Sequence, residues 1–495
     1  MKKTTVVFSL LFFCFVSLTT AAGGKKASDY LDESFGNGGI VLIEHGIRID
    51  EINGLSVLPD GGIVVSSTIS DNGKKVIALF KYAKDGSIDS SFGSNGVSKI
   101  IDEKNNTAAL AIAVQADGKI IIAGKSFESL RSSPFIRDST GILARCNSDG
   151  SLDKTFGAKG VAKSLFEKRT TIAPNTVMIQ PDGMILIAGS IYTNNQNGIP
   201  EGKTSGIARY KYDGSLDKDF GSNGYVLADL EYEYNLSGNS GKNRLRFTLQ
   251  SAALQPDGKI VLAGNTNTPL HLKLIPVLAR FDSSGKPDKT FGSGGVFVYD
   301  KPPIKFVNYT QGDKDYFPYD VMITALLVDK SGKITAPCYF LNKDYQAGVN
   351  YKECPYLANR SWAGAMRIQS NGEVDTTYGK SGIVTVGPES FEAKTASMLA
   401  DGMIIIAGRS EVATKDFSGN VFSLARCSGN GYPDASFAPG GFMQTGIYAK
   451  IKNSTGYVTG YVNLIAQQKD GKILAAGPIF SSSSSGFAIV RYKAR

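Results

Sequence analysis

Histidine is almost missing: only His45 and His271 occur among 495 residues. Two imidazoles cannot form a three-histidine zinc centre, and they leave little scope for histidine-based acid–base catalysis. Cysteine is scarce as well, with 5 in all, and none forms a Cys-x-x-Cys pair. The chain also lacks a P-loop, a Gly-x-Ser-x-Gly elbow and a His-Glu-x-x-His helix, so no motif announces nucleotide, acyl-transfer or metalloprotease chemistry. No catalytic residue, metal or cofactor is expected on these grounds. Long apolar runs are confined to the start of the chain. There Val6–Leu18 is well short of the roughly 20 residues that a membrane-spanning helix needs. Lys2 and Lys3 precede it, and Thr20, Ala21 and Ala22 follow, which reads as a signal peptide over residues 1–22. The expectation is an exported chain, residues 23–495, with no transmembrane segment, secreted or held in the periplasm or at the cell surface.

What the chain has in excess is glycine, 56 residues, together with a formal net charge of +9. Glycine at this level, without a collagen period, points to many tight turns and so to an all-β protein. A basic surface outside the cytoplasm suits anionic polysaccharide or lipid head groups better than nucleic acid. Nucleic acid is therefore not an expected partner.

Internal repetition decides the fold class. The signature Leu-Asp-x-x-Phe-Gly-x-x-Gly begins at Leu31 and returns along the chain, with its aspartate at Asp32, Asp89, Asp153, Asp217, Asp288, Asp375 and Asp434. Between these lie apolar runs broken by an Asp-Gly type turn, at Gly61, Gly118, Gly183, Gly258, Gly332, Gly402 and Gly471. In the second unit Ala108–Val114 and Lys119–Ala123 flank such a turn, then Gly141–Arg145 and Gly160–Leu165 follow. Four short antiparallel strands in each of seven units predict a seven-bladed β-propeller in one domain. The last unit stops after its third strand, near Phe487–Tyr492, and the strand it lacks is available at residues 39–44. The N-terminal strand is thus expected to complete the C-terminal blade and close the ring, since an open sheet edge is a liability.

These motifs resemble the delta-sixty-repeat family of bacterial secreted β-propeller proteins, over nearly all of residues 23–495. The resemblance implies a secreted or surface propeller and carries over no catalytic residue. The fifth unit departs from the pattern at Asp329-Lys330-Ser331-Gly332 and Tyr378-Gly379, and the sixth at Phe437-Ala438.

A basic residue stands four places before each turn of the Asp-Gly-Ser-Leu-Asp type: Lys81, Arg145, Arg209, Arg280, Arg367, Arg426 and Arg491. Seven such charges are expected to pair with the repeated aspartates, because an unpaired charge in a sheet stack is costly. The repeated Phe92, Phe156, Phe220 and Phe291 are expected to pack between blades. Asn147, Asp149 and Asp153 come nearest to a calcium loop, but turn aspartates bonding their own backbone explain the pattern better. Cys338 and Cys354 lie in one insertion and form a candidate disulfide.

The variable segments, Ser126–Thr140, Ser190–Ser205, Glu231–Phe247, Lys301–Tyr319, Tyr339–Trp362 and Arg409–Asn420, all fall on connections that a propeller places on one face. They hold many aromatics, including Tyr309, Tyr316, Tyr319, Tyr345, Tyr351 and Trp362, the candidate ligand-binding residues. The function expected from this is a non-enzymatic, monomeric scaffold or ligand-binding protein of the cell envelope or exterior, taking a protein or glycan partner through that face. The alternative is a polysaccharide-active hydrolase or lyase, or a glycan-binding module.

Overall fold

Each Asp-Gly turn lets two apolar runs fold back on each other, because the glycine takes a left-handed conformation closed to most residues; Gly118, at φ 82°, is one such position. Asp117 accepts a 3.1 Å hydrogen bond from the backbone N–H of Lys119 and fixes that turn. In the computed structural model this unit recurs as seven antiparallel blade sheets. The structure describes residues 29–43, 48–100, 102, 104–127, 139–164, 170–194, 200–236, 239–244, 246–268, 271–299, 320–342, 360–413, 417–451, 454–481 and 485–494.

The first blade comprises, from the inner strand outward, Arg48–Val57, Ile63–Asp71, Lys74–Tyr82 and Val97–Ile100. Blades two, three, four and six repeat it, with inner strands Asn106–Val114, Thr170–Ile179, Thr248–Leu254 and Glu392–Met398. In the fifth blade the inner strand is split into Asp320–Ile323 and Leu327–Val328. The last blade uses Leu464–Gln467, Ile473–Phe480 and Ser485–Tyr492, and its outer strand is Ile40–Leu42, paired through Val41↔Ile489. The core lies between blades rather than at a single centre. One cluster joins Phe35 and Val41 to Phe80 and Tyr82 of the first blade and Ile489 of the last.

Three features differ from the sequence reading. Ser190–Ser205 and Arg409–Asn420 are mostly strand, since the second and third strands of those blades run on past the sheet as hairpins. A further hairpin, Ile447–Ile451 with Ser454–Gly460, precedes the last blade and was not anticipated. Its second strand joins that blade by Thr459↔Phe480 and Gly460↔Ile479. Glu231–Leu236 and Asn239–Arg244 form another two-stranded extension.

The repeated signature proves to be a lock between neighbours. Arg145 donates from Nε to Asp153 at 2.8 Å, and its guanidinium sits 4.7 Å from the centre of the Phe156 ring. Its Nη1 donates at 2.5 Å to the carbonyl of Tyr212, on the third blade. Arg209, Arg280, Arg367 and Arg491 reach the next blade's turn in the same way, at Ser283, Ser370, Gly429 and Lys84. The turn glycine that receives each aromatic ring has no room for a side chain. A Cβ on Gly150 would stand 2.9 Å from Phe92 of the preceding blade, and one on Gly214 the same distance from Phe156. Lys81 takes the arginine's place in the first blade and pairs with Asp89 at 3.1 Å and Asp60 at 3.4 Å.

At the seam the lock joins the two ends of the chain. Arg491 meets Asp32 at 2.9 Å and lies 4.5 Å from the Phe35 ring, while Lys472 reaches the same carboxylate at 3.1 Å. Removing residues 31–42 takes away the outer strand and half of this lock together. The expected outcome is a lower thermal midpoint and aggregation on size-exclusion chromatography; an unchanged midpoint with monomeric elution contradicts the closure.

The lock also sets the acid stability. Burial pushes the Asp32 carboxyl up, but its bonds with Ser34 and Lys472 and the charge of Arg491 outweigh this and hold it at about 2. Asp288 is likewise at about 2, burial being outweighed by Thr290 and Arg280. A carboxyl depressed in the fold contributes stability above its unfolded pKa of about 4 and loses it as the pH falls through the folded value. The thermal midpoint should therefore drop between about pH 4 and about pH 2, with a shallower drop in Asp288→Asn.

Candidate functional site

A repeat offers its own control: positions that recur build the scaffold, so a position whose chemistry changes in one blade is the place to look for function. Just before the bulge in each inner strand, one residue pairs across to the second strand. In blades two, three and four these pairs are Ala108↔Lys125, Ala173↔Ser190 and Thr248↔Asn265. In the fifth it is Met322↔Tyr339, and in the sixth Glu392↔Arg409. The residue bulged out of the sixth inner strand, between Ala393 and Thr395, is Lys394. Only the sixth blade carries charge at both paired positions and at the bulge.

Those three charges meet. Arg409 donates from Nε to Glu392 at 2.8 Å, with its Nη2 at 2.7 Å, and the Lys394 ammonium pairs with the other oxygen of the same carboxylate. Lys394 lies 5.7 Å from the centre of the Tyr339 ring, which reaches over from the fifth blade. Glu392 is mostly buried, whereas Lys394 and Arg409 keep 30% and 38% of their side-chain surface exposed. Two cations thus share one carboxylate, and both keep part of their charged ends open to solvent, while the second acid near Tyr339, Asp320, is buried. The site sits at the ends of the strands that face the variable connections.

The electrostatics give each group a direction. Burial pushes the Glu392 carboxyl up, but Lys394 and Arg409 prevail and hold it below its ordinary value, so it stays ionised. The Tyr339 phenol is raised, first by burial and then by the negative charges of Glu392 and Asp320, against the pull of Arg409. It therefore keeps its proton at neutral pH and serves as a donor. Asp320 is buried and accepts a 2.9 Å bond from the backbone N–H of Leu274, so it is committed to the scaffold.

Of the residues expected to bind ligand, Tyr309, Tyr316, Tyr319, Tyr345 and Tyr351 lie outside the described residues. Trp362 is half-buried against the fifth-blade core, opposite Phe340. Cys338 is a fully buried thiol in that core, its pKa raised by burial; Cys354 lies outside the described residues. Asp149 accepts from the N–H and hydroxyl of Ser151, and Asp153 is held by Arg145 and Lys119, so these turn carboxylates are already engaged.

The opposite face, that of the Asp-Gly turns, has grooves between blades. One of about 510 Å³ between the fourth and fifth is lined by Gln255, Lys259, Arg280 and Asn371. Equivalent grooves recur between the fifth and sixth blades and at the seam. Their charges belong to the lock: Arg280 and Lys259 share Asp288, and Gln255 donates to the carbonyl of Gly332 at 2.6 Å. The grooves are products of the repeat.

Glu392→Gln removes one of the charges that raise Tyr339. Spectrophotometric titration, read against Tyr339→Phe, should show the phenol ionising at lower pH in that variant. An unmoved or raised titration contradicts the cluster.

Four stretches of the chain, residues 58–92, 180–220, 255–291 and 468–494, match the family described as domain of unknown function (DUF5122) beta-propeller. No curated protein matches the sequence. Among solved structures, the polysaccharide lyase Uly1 is similar over 98% of this chain and 98% of its own, at 12% identity and a TM-score of 0.45. A PL25 ulvan lyase bound to -[GlcA(1-4)Rha3S]- is similar over 89% of this chain and 94% of its own, at 10% identity and a TM-score of 0.42. A glycoside hydrolase is similar over 67% and 90%, at 11% identity and a TM-score of 0.29. The expectation that this chain is not an enzyme is corrected at this point: the structures it is similar to include polysaccharide lyases and a glycoside hydrolase. A missing sequence motif does not make a propeller inert, and likenesses this distant assign neither substrate nor residue. The chain is a seven-bladed β-propeller with segments that match the DUF5122 propeller family.

Proposed function

We propose that the protein is a polysaccharide-active propeller that takes an anionic glycan on the face of the variable connections and cleaves it by elimination. The observation that carries this reading is the half-exposed cluster of Glu392, Lys394 and Arg409 beside the Tyr339 phenol. The solvent-facing ends of Lys394 and Arg409 are a seat for a uronate carboxylate. Neutralising that carboxylate acidifies the hydrogen on the carbon next to it, which is what elimination needs. That proton passes to solvent water, a carbon–carbon double bond forms, and the glycosidic bond at the neighbouring carbon breaks. Tyr339, held protonated, supplies the proton to the departing oxygen. Hydrolysis fits less well, since it needs two carboxyl groups flanking the scissile bond. Here Glu392 is paired with two cations and Asp320 is committed elsewhere.

Export through the Sec route, with residues 1–22 removed, belongs to the same proposal, because such glycans lie outside the cytoplasm. The delta-sixty-repeat assignment also remains a proposal, resting on the Asp-x-x-Phe-Gly and Asp-Gly signatures.

The test is to incubate the protein with a panel of uronate-containing polysaccharides and follow the ultraviolet absorbance of the unsaturated product. Activity should appear on at least one. It should fall roughly hundredfold in Tyr339→Phe and about tenfold to a hundredfold in Arg409→Gln, the range for losing a hydrogen bond to a charged group. Absence of product with every substrate sinks the elimination reading, and absence of binding sinks the glycan reading with it.

A further inference from the structure

The cluster has a neighbour of different chemistry. In the last blade the position of Glu392 is filled by Tyr461: its backbone N–H donates to Pro478, and a Cβ on Gly477 would meet its carbonyl, just as one on Gly408 would meet that of Glu392. The two sites are joined through the backbone. The N–H of Val462, next to Tyr461, donates to the carbonyl of Gly408, next to Arg409, at 3.0 Å. Tyr461 and Phe480 pair with ring centres 6.3 Å apart and planes 29° from parallel. Phe480 is 40% exposed, although a folding chain gains by covering such a ring.

The pair is also held rigidly. Phe480 ends the second strand of the last blade and faces Thr459 of the added hairpin. That hairpin carries Tyr457, which packs 5.6 Å from Phe417 and 5.3 Å edge-on from Tyr448. A strand pairing that, among the described residues, no other blade has thus supports an exposed pair of near-parallel rings beside the partly exposed cations of the cluster.

We infer that Tyr461 and Phe480 form a stacking subsite for a pyranose ring next to the sugar whose carboxylate is seated at Lys394 and Arg409. This rests on the glycan reading above and adds to it the order of the ligand: an anionic sugar over the sixth blade, then a ring with an open C–H face over the last. The two chemistries select one occupant. A peptide or a lipid headgroup would satisfy the cations or the rings, but an acidic oligosaccharide presents flat apolar faces and carboxylates alternately along one chain. Aromatic platforms bind such faces with little entropy cost, since their rings are already fixed.

The probes are a free uronic acid and uronate oligosaccharides of two to six sugars, measured by calorimetry with wild type, Phe480→Ala, Phe480→Leu, Tyr461→Ala and Arg409→Gln. Unchanged thermal midpoints establish that each variant folds. Affinity for the longer oligosaccharides should fall about tenfold in Phe480→Ala and in Tyr461→Ala, equivalent to about 1.4 kcal/mol. Phe480→Leu should lose nearly as much, because bulk without a flat ring does not stack. Binding of the free uronic acid should be untouched by these three and lost in Arg409→Gln. Equal affinity of wild type and the ring variants for long oligosaccharides overturns the stacking subsite while leaving the cationic seat standing. Loss of the free uronic acid in the ring variants also overturns it, since the rings would then act on the cluster. If wild type binds none of the probes, the glycan reading fails and the subsite falls with it.

Discussion

The rest of the structure depends on a guanidinium that serves two blades at once. Arg145, Arg209, Arg280, Arg367 and Arg491 each give one edge to an aspartate of their own blade, their face to an aromatic ring and their far nitrogen to a carbonyl of the next blade. Such a charge could not stay buried without these partners. The partners in turn dictate the glycine beneath the ring and the register of the turn that offers the carbonyl. The signature is therefore one device with parts in two units, and it needs a following unit to be satisfied. At the end of the chain the following unit is the first, which is why Arg491 reaches Lys84.

Most of the architecture was legible for that reason. The Asp-x-x-Phe-Gly and Asp-Gly blocks mark turns whose chemistry is local, and their count and the incomplete last unit give the blade number and its closure. The pairing of Arg145 with Asp153 followed from the cost of burying charge. What sequence could not reveal was the carry-over to the next blade, because that contact is to a backbone carbonyl, which has no residue preference. The hairpin of residues 447–460 was also hidden: Tyr448 and Tyr457 sit in a run without a turn signal as plain as Asp-Gly.

The cluster was less legible still. Tyr339 stood among the aromatics of a variable segment, and Arg409 at the start of another, but Glu392 and Lys394 lie inside an ordinary inner strand. Nothing in Phe-Glu-Ala-Lys-Thr differs from a solvated edge until the cross-strand register aligns Glu392 with Ala108, Ala173 and Thr248. The signal was present, as charge at both paired positions and at the bulge together, which the first blade, with Glu51 opposite Thr68, and the second, with Lys125 opposite Ala108, carry only in part. It could be read only once the bulge, which shifts the alignment by one residue, had been located.

The clasp has a geometric consequence for how the molecule can be held. Tyr30 and Lys493 are hydrogen-bonded to each other through their backbones, at 2.9 Å, so the two described ends leave the ring together, on the side of the Asp-Gly turns. A tether attached at either end therefore pulls on the same spot of the rim. The face bearing Tyr339, Arg409 and Phe480 is then turned away from whatever holds the protein.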